Sequence, residues 1–149
     1  MANYYSQEMA GTANLTAIPV GYKPRATVYG ARLKRLRATV TWNTQTTSDT
    51  LVLGILPVGA TFSFGVITQS ATMGASATLA IGTAGTTGKY RAAATSTAAA
   101  DTPTFFGTVA QVGSVDPLTA EEQVIGTIAA ASLPASGTQV IDIYYSMPN

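Results

Sequence analysis

The stretch that most constrains the fold is TLVLGILPVGATFSFGVITQSATMGASATLAIG, residues 50–82. Three short runs of Val, Ile, Leu, Phe and Thr are separated by turn signals, Pro-Val-Gly at 57–59 and Met-Gly-Ala-Ser at 73–76. These residue types pack well on a pleated surface, and the runs have the length of strands. A helix would need apolar residues three and four apart without interspersed glycines. The stretch therefore predicts a meander of three antiparallel strands whose apolar sides share one core.

Alternation along the runs predicts which side chains point to that core. The pattern slips at Ile67, next to Gly65, and a slip beside a glycine indicates a β-bulge or a sharp bend. The apolar sides predicted from the alternation are Leu51, Leu53 and Ile55 in the first run, Phe62, Phe64 and Val66 in the second, and Ala77, Leu79 and Ile81 in the third.

The rest of the chain continues this pattern, with further strands predicted to end near Trp42 and to cover residues 104–112, 123–129 and 139–145. Residues 92–103, AAATSTAAADTP, are of low complexity and are expected to form a surface loop. In the last strand, Val140, Asp142 and Tyr144 should face one way and Ile141, Ile143 and Tyr145 the other. The fold class predicted is all-β: an antiparallel, jelly-roll-like β-sandwich of about eight strands.

The chain of 149 residues is long enough for one domain with a sizeable core. Residues 23–149 are expected to form a single sandwich domain. Residues 1–22 are polar or small and are expected to form an extended N-terminal arm, although a frayed terminus is the alternative. If the arm orders on a neighbouring subunit, Tyr4, Tyr5 and Ile18 would anchor it, because aromatic side chains supply large contact areas at interfaces.

The composition restricts the function more than it suggests one. Only 10% of residues are charged, compared with roughly 25% in typical soluble domains, and the net charge is +1. Such a surface suits a protein that is largely covered by partners or that works outside the crowded cell. A net charge this close to zero does not attract the chain to nucleic acid or to an acidic membrane. The start of the chain lacks signal-peptide features, and no apolar run approaches the roughly twenty residues of a membrane span. We therefore expect synthesis and folding in a cytoplasm, without membrane contact.

The sequence offers little catalytic chemistry. It contains no histidine and no cysteine, which excludes the commonest general base, thiolate metal ligands and disulfides. No calcium-loop pattern and no phosphate-binding glycine motif occurs. We predict that the chain is not an enzyme and has no metal and no cofactor. The seven carboxylates, most of them in predicted turns, are Glu8, Asp49, Asp101, Asp116, Glu121, Glu122 and Asp142.

Basic residues are concentrated in one segment, and they are the candidate partner-binding residues together with Tyr4 and Tyr5. The segment leads into a strand in which Leu36, Ala38, Val40 and Trp42 share one side. Three interpretations remain open: a solvated basic strand that protects a sheet edge, a contact with an acidic protein partner, or direct nucleic-acid binding. The last is disfavoured because no aromatic stacking residues accompany the charges. Six of the eight basic residues belong to it: Lys23, Arg25, Arg32, Lys34, Arg35 and Arg37.

The sequence also resembles small virion proteins of tailed bacteriophages. The resemblance lies in the Leu-Pro-Val-Gly-Ala turn at 56–60, the segment MGASATLAIGT at 73–83, the YRAAA segment at 90–94 and the closing Ile-Tyr-Tyr at 143–145. It covers about three quarters of the chain and identifies no individual binding residues. It implies a capsid decoration or cement protein, a β-sandwich that sits on the outside of the phage head, often as a homotrimer.

The partner implied by this resemblance is the major capsid protein, and the implied location is the capsid surface of the virion after synthesis in the host cytoplasm. No nucleic acid and no membrane is expected as a partner. The alternative function is a receptor- or glycan-binding module of a tail fibre or spike. Such a module usually presents aromatic side chains in a groove, whereas Trp42 lies in an alternating strand and is predicted to belong to the core.

Overall fold

A computed structural model describes residues 31–47, 49–113 and 116–147. The predicted arm, Lys23 and Arg25 lie outside this part of the chain. The described residues form eight strands and one short helix: β1 (Arg32–Thr41), β2 (Thr50–Leu56), β3 (Thr61–Gln69), β4 (Thr78–Gly82), β5 (Arg91–Thr95), β6 (Thr104–Phe106), α1 (Val109–Val112), β7 (Glu122–Ala129) and β8 (Thr138–Met147).

The strands form two four-stranded antiparallel sheets, ordered β1-β8-β3-β6 and β2-β7-β4-β5. This order is that of an eight-stranded jelly roll, so the predicted fold class is confirmed. The predicted meander is wrong, because β2, β3 and β4 alternate between the two sheets and none of them pairs with the next. Alternation marks an apolar side equally well in a hairpin and in strands of facing sheets, so it did not distinguish the two arrangements.

The core lies between the sheets and is formed by the inward sides of the strands. Trp42 is 1% exposed, as predicted, and Ile141 and Ile143 of β8 are fully buried. The sides predicted for β8 are confirmed, since Asp142 and Tyr144 lie on its outer side. Other core residues are Leu51, Leu53, Leu56, Ile67, Leu79, Ile81, Val124, Ile128 and Leu133.

Two irregular strands reverse part of the predicted alternation. In β2 the register to β7 shifts between Val52 and Gly54, so that Leu56 is buried and Ile55 is 57% exposed. The predicted inward position of Ile55 is therefore wrong. A one-residue shift exchanges the two sides of a strand, because side chains alternate with a period of two.

In β3 the register to β8 shifts between Phe62 and Phe64 and is regular from Phe64 to Ile67, so the bulge predicted beside Gly65 is wrong in its position. Beyond the shift, Gly65 and Ile67 point inward, so the predicted inward positions of Phe64 and Val66 are wrong. The space above Gly65 is filled by the ring of Phe106 from β6. A neighbouring aromatic ring thus supplies the apolar group that the glycine lacks.

Two segments differ from the expected secondary structure. The surface loop predicted over 92–103 is wrong at its start, because residues 92–95 continue from Arg91 as strand β5, which pairs with β4. The strand predicted over 104–112 ends at Phe106 and is followed by α1, whose first turn is closed by the Gln111 side chain accepting a hydrogen bond from the Thr108 N–H at 2.9 Å. No helix among the described residues is long and apolar enough to cross a membrane.

Candidate interaction surface

The outer side of the β1-β8-β3-β6 sheet combines charged and aromatic side chains. Its register forms two rows across the strands. In the first row, Arg35 lies opposite Tyr144, which lies opposite Phe64. In the second row, Arg37 lies opposite Asp142. Asp142 lies opposite Val66 on its other side, and Val66 lies opposite Phe105. We call this surface the aromatic–arginine face and define it by Arg35, Arg37, Phe64, Phe105, Asp142 and Tyr144.

The charged part of the face is organised around Asp142. Arg37 donates to both of its carboxylate oxygens, from Nε and from Nη2, at 2.7 Å each. Two parallel bonds of this kind form the strongest arginine–carboxylate geometry. The hydrogen bond from Arg37 lowers the pKa of Asp142, although burial acts in the opposite direction, and the charge of Arg35 lowers it further. The same hydrogen bond raises the pKa of Arg37.

The aromatic part of the face lies beside these charges. The rings of Phe64 and Tyr144 stack with centroids 4.6 Å apart and an interplanar angle of 17°. The ring of Phe105 lies 6.2 Å from that of Phe64 and is tilted. Phe105 is 72% exposed. Isolated exposed apolar residues are ordinary, but three neighbouring rings on one sheet side form a patch of the kind found at interaction sites.

The structure separates the basic residues that the sequence grouped together. Arg35 and Arg37 belong to the aromatic–arginine face. Arg32 and Lys34 are also exposed, but they lie on the same side of β1 as Leu36, near the start of the strand, and not on the side of Arg35 and Arg37. Among the described strands β1 lies at the edge of its sheet, and charges at such a position can protect the edge. The candidate residues Tyr4, Tyr5, Lys23 and Arg25 lie outside the described residues.

Sequence reasoning missed the aromatic members of this surface. Tyr144 could have been found, because the alternation of β8 already placed it beside Asp142. Phe64 was assigned to the core, since the bulge in β3 reversed its side. The argument that no aromatic residues accompany the basic charges is therefore wrong: Phe64 and Tyr144 lie beside them in the sheet, and Tyr29 lies within the basic segment itself.

A second polar cluster lies beside a cleft of about 120 Å³, near α1. Lys89 Nζ and the Tyr90 hydroxyl both donate to the Glu122 carboxylate. Burial, followed by this hydrogen bond, raises the pKa of Tyr90 above its ordinary value. Gln111, which lines the cleft, donates to Gly88 O at 3.1 Å. The charged and phenolic groups of this cluster are therefore paired with one another.

Metal chemistry finds no support in the described residues, which contain no group of three or more His, Cys, Asp or Glu that could hold an ion. Trp42, the single tryptophan of the sequence, is buried in the core and does not line a surface groove. The outer sheet side is therefore the candidate site with the most accessible chemistry.

Comparisons with known proteins find similarity at the level of structure. No family model and no curated protein matches the sequence. A chain of the capsid asymmetric unit of cyanophage Pam1 aligns with a TM-score of 0.64 and 24% identity, over 80% of this chain and 88% of that one.

Two further phage capsids contain similar chains. A chain of the capsid of Ralstonia phage GP4 aligns with a TM-score of 0.61 and 17% identity, over 79% of this chain and 86% of that one. A chain of the acidic stable capsid structure of Helicobacter pylori bacteriophage KHP30 aligns with a TM-score of 0.56 and 14% identity, over 78% and 89%. The chain thus shares its fold, over about four fifths of its length, with chains found in phage capsids.

Proposed function

We propose that this chain is a structural virion protein of a tailed phage, which binds the outside of the head and stabilises contacts between capsomers. The observation that carries the proposal is the fold shared with chains of three phage capsids, over about four fifths of the sequence. Jelly rolls also serve other functions, so the fold alone does not determine this role. The surface chemistry of the chain supplies the second argument.

The aromatic–arginine face fits a role in binding a large protein surface. Aromatic residues and arginine are enriched in protein interfaces. Phe105 is largely exposed, and the Phe64–Tyr144 stack presents its rings on the same side. An exposed sheet side of this kind can be covered by another protein without rearrangement of the sandwich. The low charge of the whole chain, 10% of residues, is compatible with a surface that is extensively covered.

The proposed partner is the major capsid protein, and the proposed assembly is a homotrimer on the capsid surface. Three copies that bind together would multiply a modest individual contact through avidity. The N-terminal segment with Tyr4, Tyr5, Lys23 and Arg25 remains a predicted contact to the shell or to a neighbouring copy. We propose no enzymatic activity and no cofactor.

Binding to purified heads tests this function. Heads that lack the chain are incubated with the purified protein, sedimented and imaged by electron microscopy. We expect added density on the outside of the shell and increased resistance of the heads to heating. Tail-less heads are the appropriate particles, because retention on them separates head binding from the alternative, a receptor- or glycan-binding module of a tail. Absence from heads combined with binding to tails would reject the proposal.

Neutralisation of the basic strand tests where the chain attaches. The variant with Arg32, Lys34, Arg35 and Arg37 all changed to Gln should occupy fewer sites on heads at moderate salt. The matched control carries the same number of substitutions at exposed neutral positions of the other sheet, including Gln123. Equal occupancy of both variants would show that the basic strand does not contribute.

A further inference from the structure

We infer that the aromatic–arginine face recognises an acidic segment of the shell protein, with Arg35 as the group that binds the partner's carboxylate. This inference rests on the proposed function, since it names the chemistry of the surface to which the chain would attach. The inference assigns to Arg35 a role that the other basic residues of the strand do not share, a difference that the sequence alone does not indicate.

The charge balance of the face singles out Arg35. Two arginines stand opposite one aspartate, and Arg37 engages both oxygens of Asp142. Arg35 approaches the same carboxylate only to 3.8 Å, from its Nε atom, and 47% of its side chain is exposed. A planar guanidinium can hold a carboxylate through two hydrogen bonds. Arg35 is therefore the positively charged group of the face that remains available to a second carboxylate.

The neighbours of Arg35 determine what else the partner should present. Arg35 lies directly opposite Tyr144, whose ring stacks on Phe64, and Phe105 extends the apolar surface. Side chains directly opposite on adjacent strands lie about 5 Å apart, so one partner segment can contact the guanidinium and the rings together. The fitting segment carries an Asp or Glu next to an apolar side chain.

Nucleic acid, which also combines negative charge with stacking bases, fits this face less well. Binding to nucleic acid draws most of its affinity from several phosphate contacts. Here the two arginines are accompanied by Asp142, whose carboxylate repels a phosphate. One surplus positive charge suits a single carboxylate better than a phosphate chain.

The experiment compares the affinities of single variants for heads that lack the chain. Arg35→Gln should weaken binding about tenfold at low salt, which is the effect of losing one charge-assisted hydrogen-bonded contact. This loss should shrink with added salt, because screening weakens the contact in the wild type. Phe105→Ser should weaken binding to a similar extent at all salt concentrations, since an apolar contact is little affected by screening. Gln123→Glu, on the outer side of the other sheet, changes the net charge by the same amount as Arg35→Gln and should bind like the wild type.

The outcomes separate this inference from the proposed function. Binding of the wild type to heads tests the function, whereas the difference between Arg35→Gln and Gln123→Glu tests the role of the face. Equal affinities of these two variants, with the wild type still bound, would overturn the inference and leave the function standing. Failure of the wild type to bind heads would overturn both. A single-stranded oligonucleotide that binds the isolated protein and depends on Arg35 would overturn the choice of an acidic protein partner.

Discussion

The ring of Phe106 lies directly over Gly65, its partner across the β3–β6 register, and occupies the space where a side chain would otherwise stand. This contact joins the short edge strand β6 to the sheet and helps to keep β3 in the register that turns Phe64 outward. Phe106 is 9% exposed and belongs to the core.

Replacement of Gly65 by alanine tests this contact. A Cβ at this position would overlap the Phe106 ring, so the ring must move, and we expect a loss of about 1–3 kcal/mol in the free energy of unfolding. Urea unfolding measures the effect. Gly85→Ala is the control, because a Cβ there meets no atom within 4 Å. Combining Gly65→Ala with Phe106→Leu should recover part of the loss. Unchanged stability of the single variant would contradict the packing described here.

The ion pair between Arg37 and Asp142 predicts a dependence of stability on acid. The pKa of Asp142 is lowered in the folded state, chiefly by the hydrogen bond from Arg37. The ionised carboxylate therefore stabilises the fold above the unfolded-state pKa of about 3.9, and this contribution is lost as the pH falls through the folded-state pKa.

Comparison with Asp142→Asn isolates this contribution. At neutral pH the wild type should be more stable than the variant in urea unfolding, and the difference should shrink toward about pH 3. The Asp49→Asn variant, at an exposed loop carboxylate, serves for comparison at each pH. If the difference between wild type and Asp142→Asn stayed constant with pH, the proposed linkage would be wrong.

The raised pKa of Tyr90 predicts a loss of stability at high pH, in contrast to the loss at low pH expected for Asp142. Burial and the hydrogen bond to Glu122 raise its pKa in the folded state. Its neutral form therefore stabilises the fold below the unfolded-state pKa of about 10, and this contribution is lost as the pH rises further toward the folded-state pKa. Tyr90→Phe should lose about 1 kcal/mol at neutral pH, through the missing hydrogen bond, and should be less sensitive to base.

Ultraviolet titration provides the measurement for Tyr90. In the wild type, the ionisation step that disappears in Tyr90→Phe should coincide with unfolding followed by circular dichroism. Tyr144→Phe is the control, because that ring lies on the outer side of the sheet. Ionisation of Tyr90 well before unfolding would contradict the buried, hydrogen-bonded phenol.

Arg91 is expected to stabilise an irregular part of the second sheet. Its buried guanidinium donates to Leu79 O and also to Ala94 O at 3.2 Å and Thr95 O at 3.3 Å. These bonds lie where the β4–β5 register shifts between Leu79 and Ile81. Arg91→Met should cost about 1–3 kcal/mol, because methionine keeps a long, unbranched side chain while the carbonyls lose their donor.

Thermal or urea unfolding of Arg91→Met, with Arg32→Met as the exposed control, tests this role. The control should change stability by less than about 0.5 kcal/mol, as is usual for surface positions. A smaller loss for Arg91→Met than for Arg32→Met would show that the buried guanidinium does not stabilise the bulge.

The sequence by itself determined the strand content, the burial of Trp42 and the two sides of β8. These features depend on local alternation, and regular strands display that alternation over their whole length. Each of these predictions used only residues that lie within a few positions of one another in the sequence.

Only the tertiary structure decided which sheet each strand joins, which side Ile55 and Phe64 face, and that Arg37 and Asp142 pair. The last two residues are separated by 105 positions along the chain. Strand pairing is a contact between distant segments, and a bulge of one residue exchanges the sides of a strand without a clear mark in the sequence. For the same reason, the aromatic rings beside Arg35 come from strands far from the basic segment and become visible only in the assembled sheet.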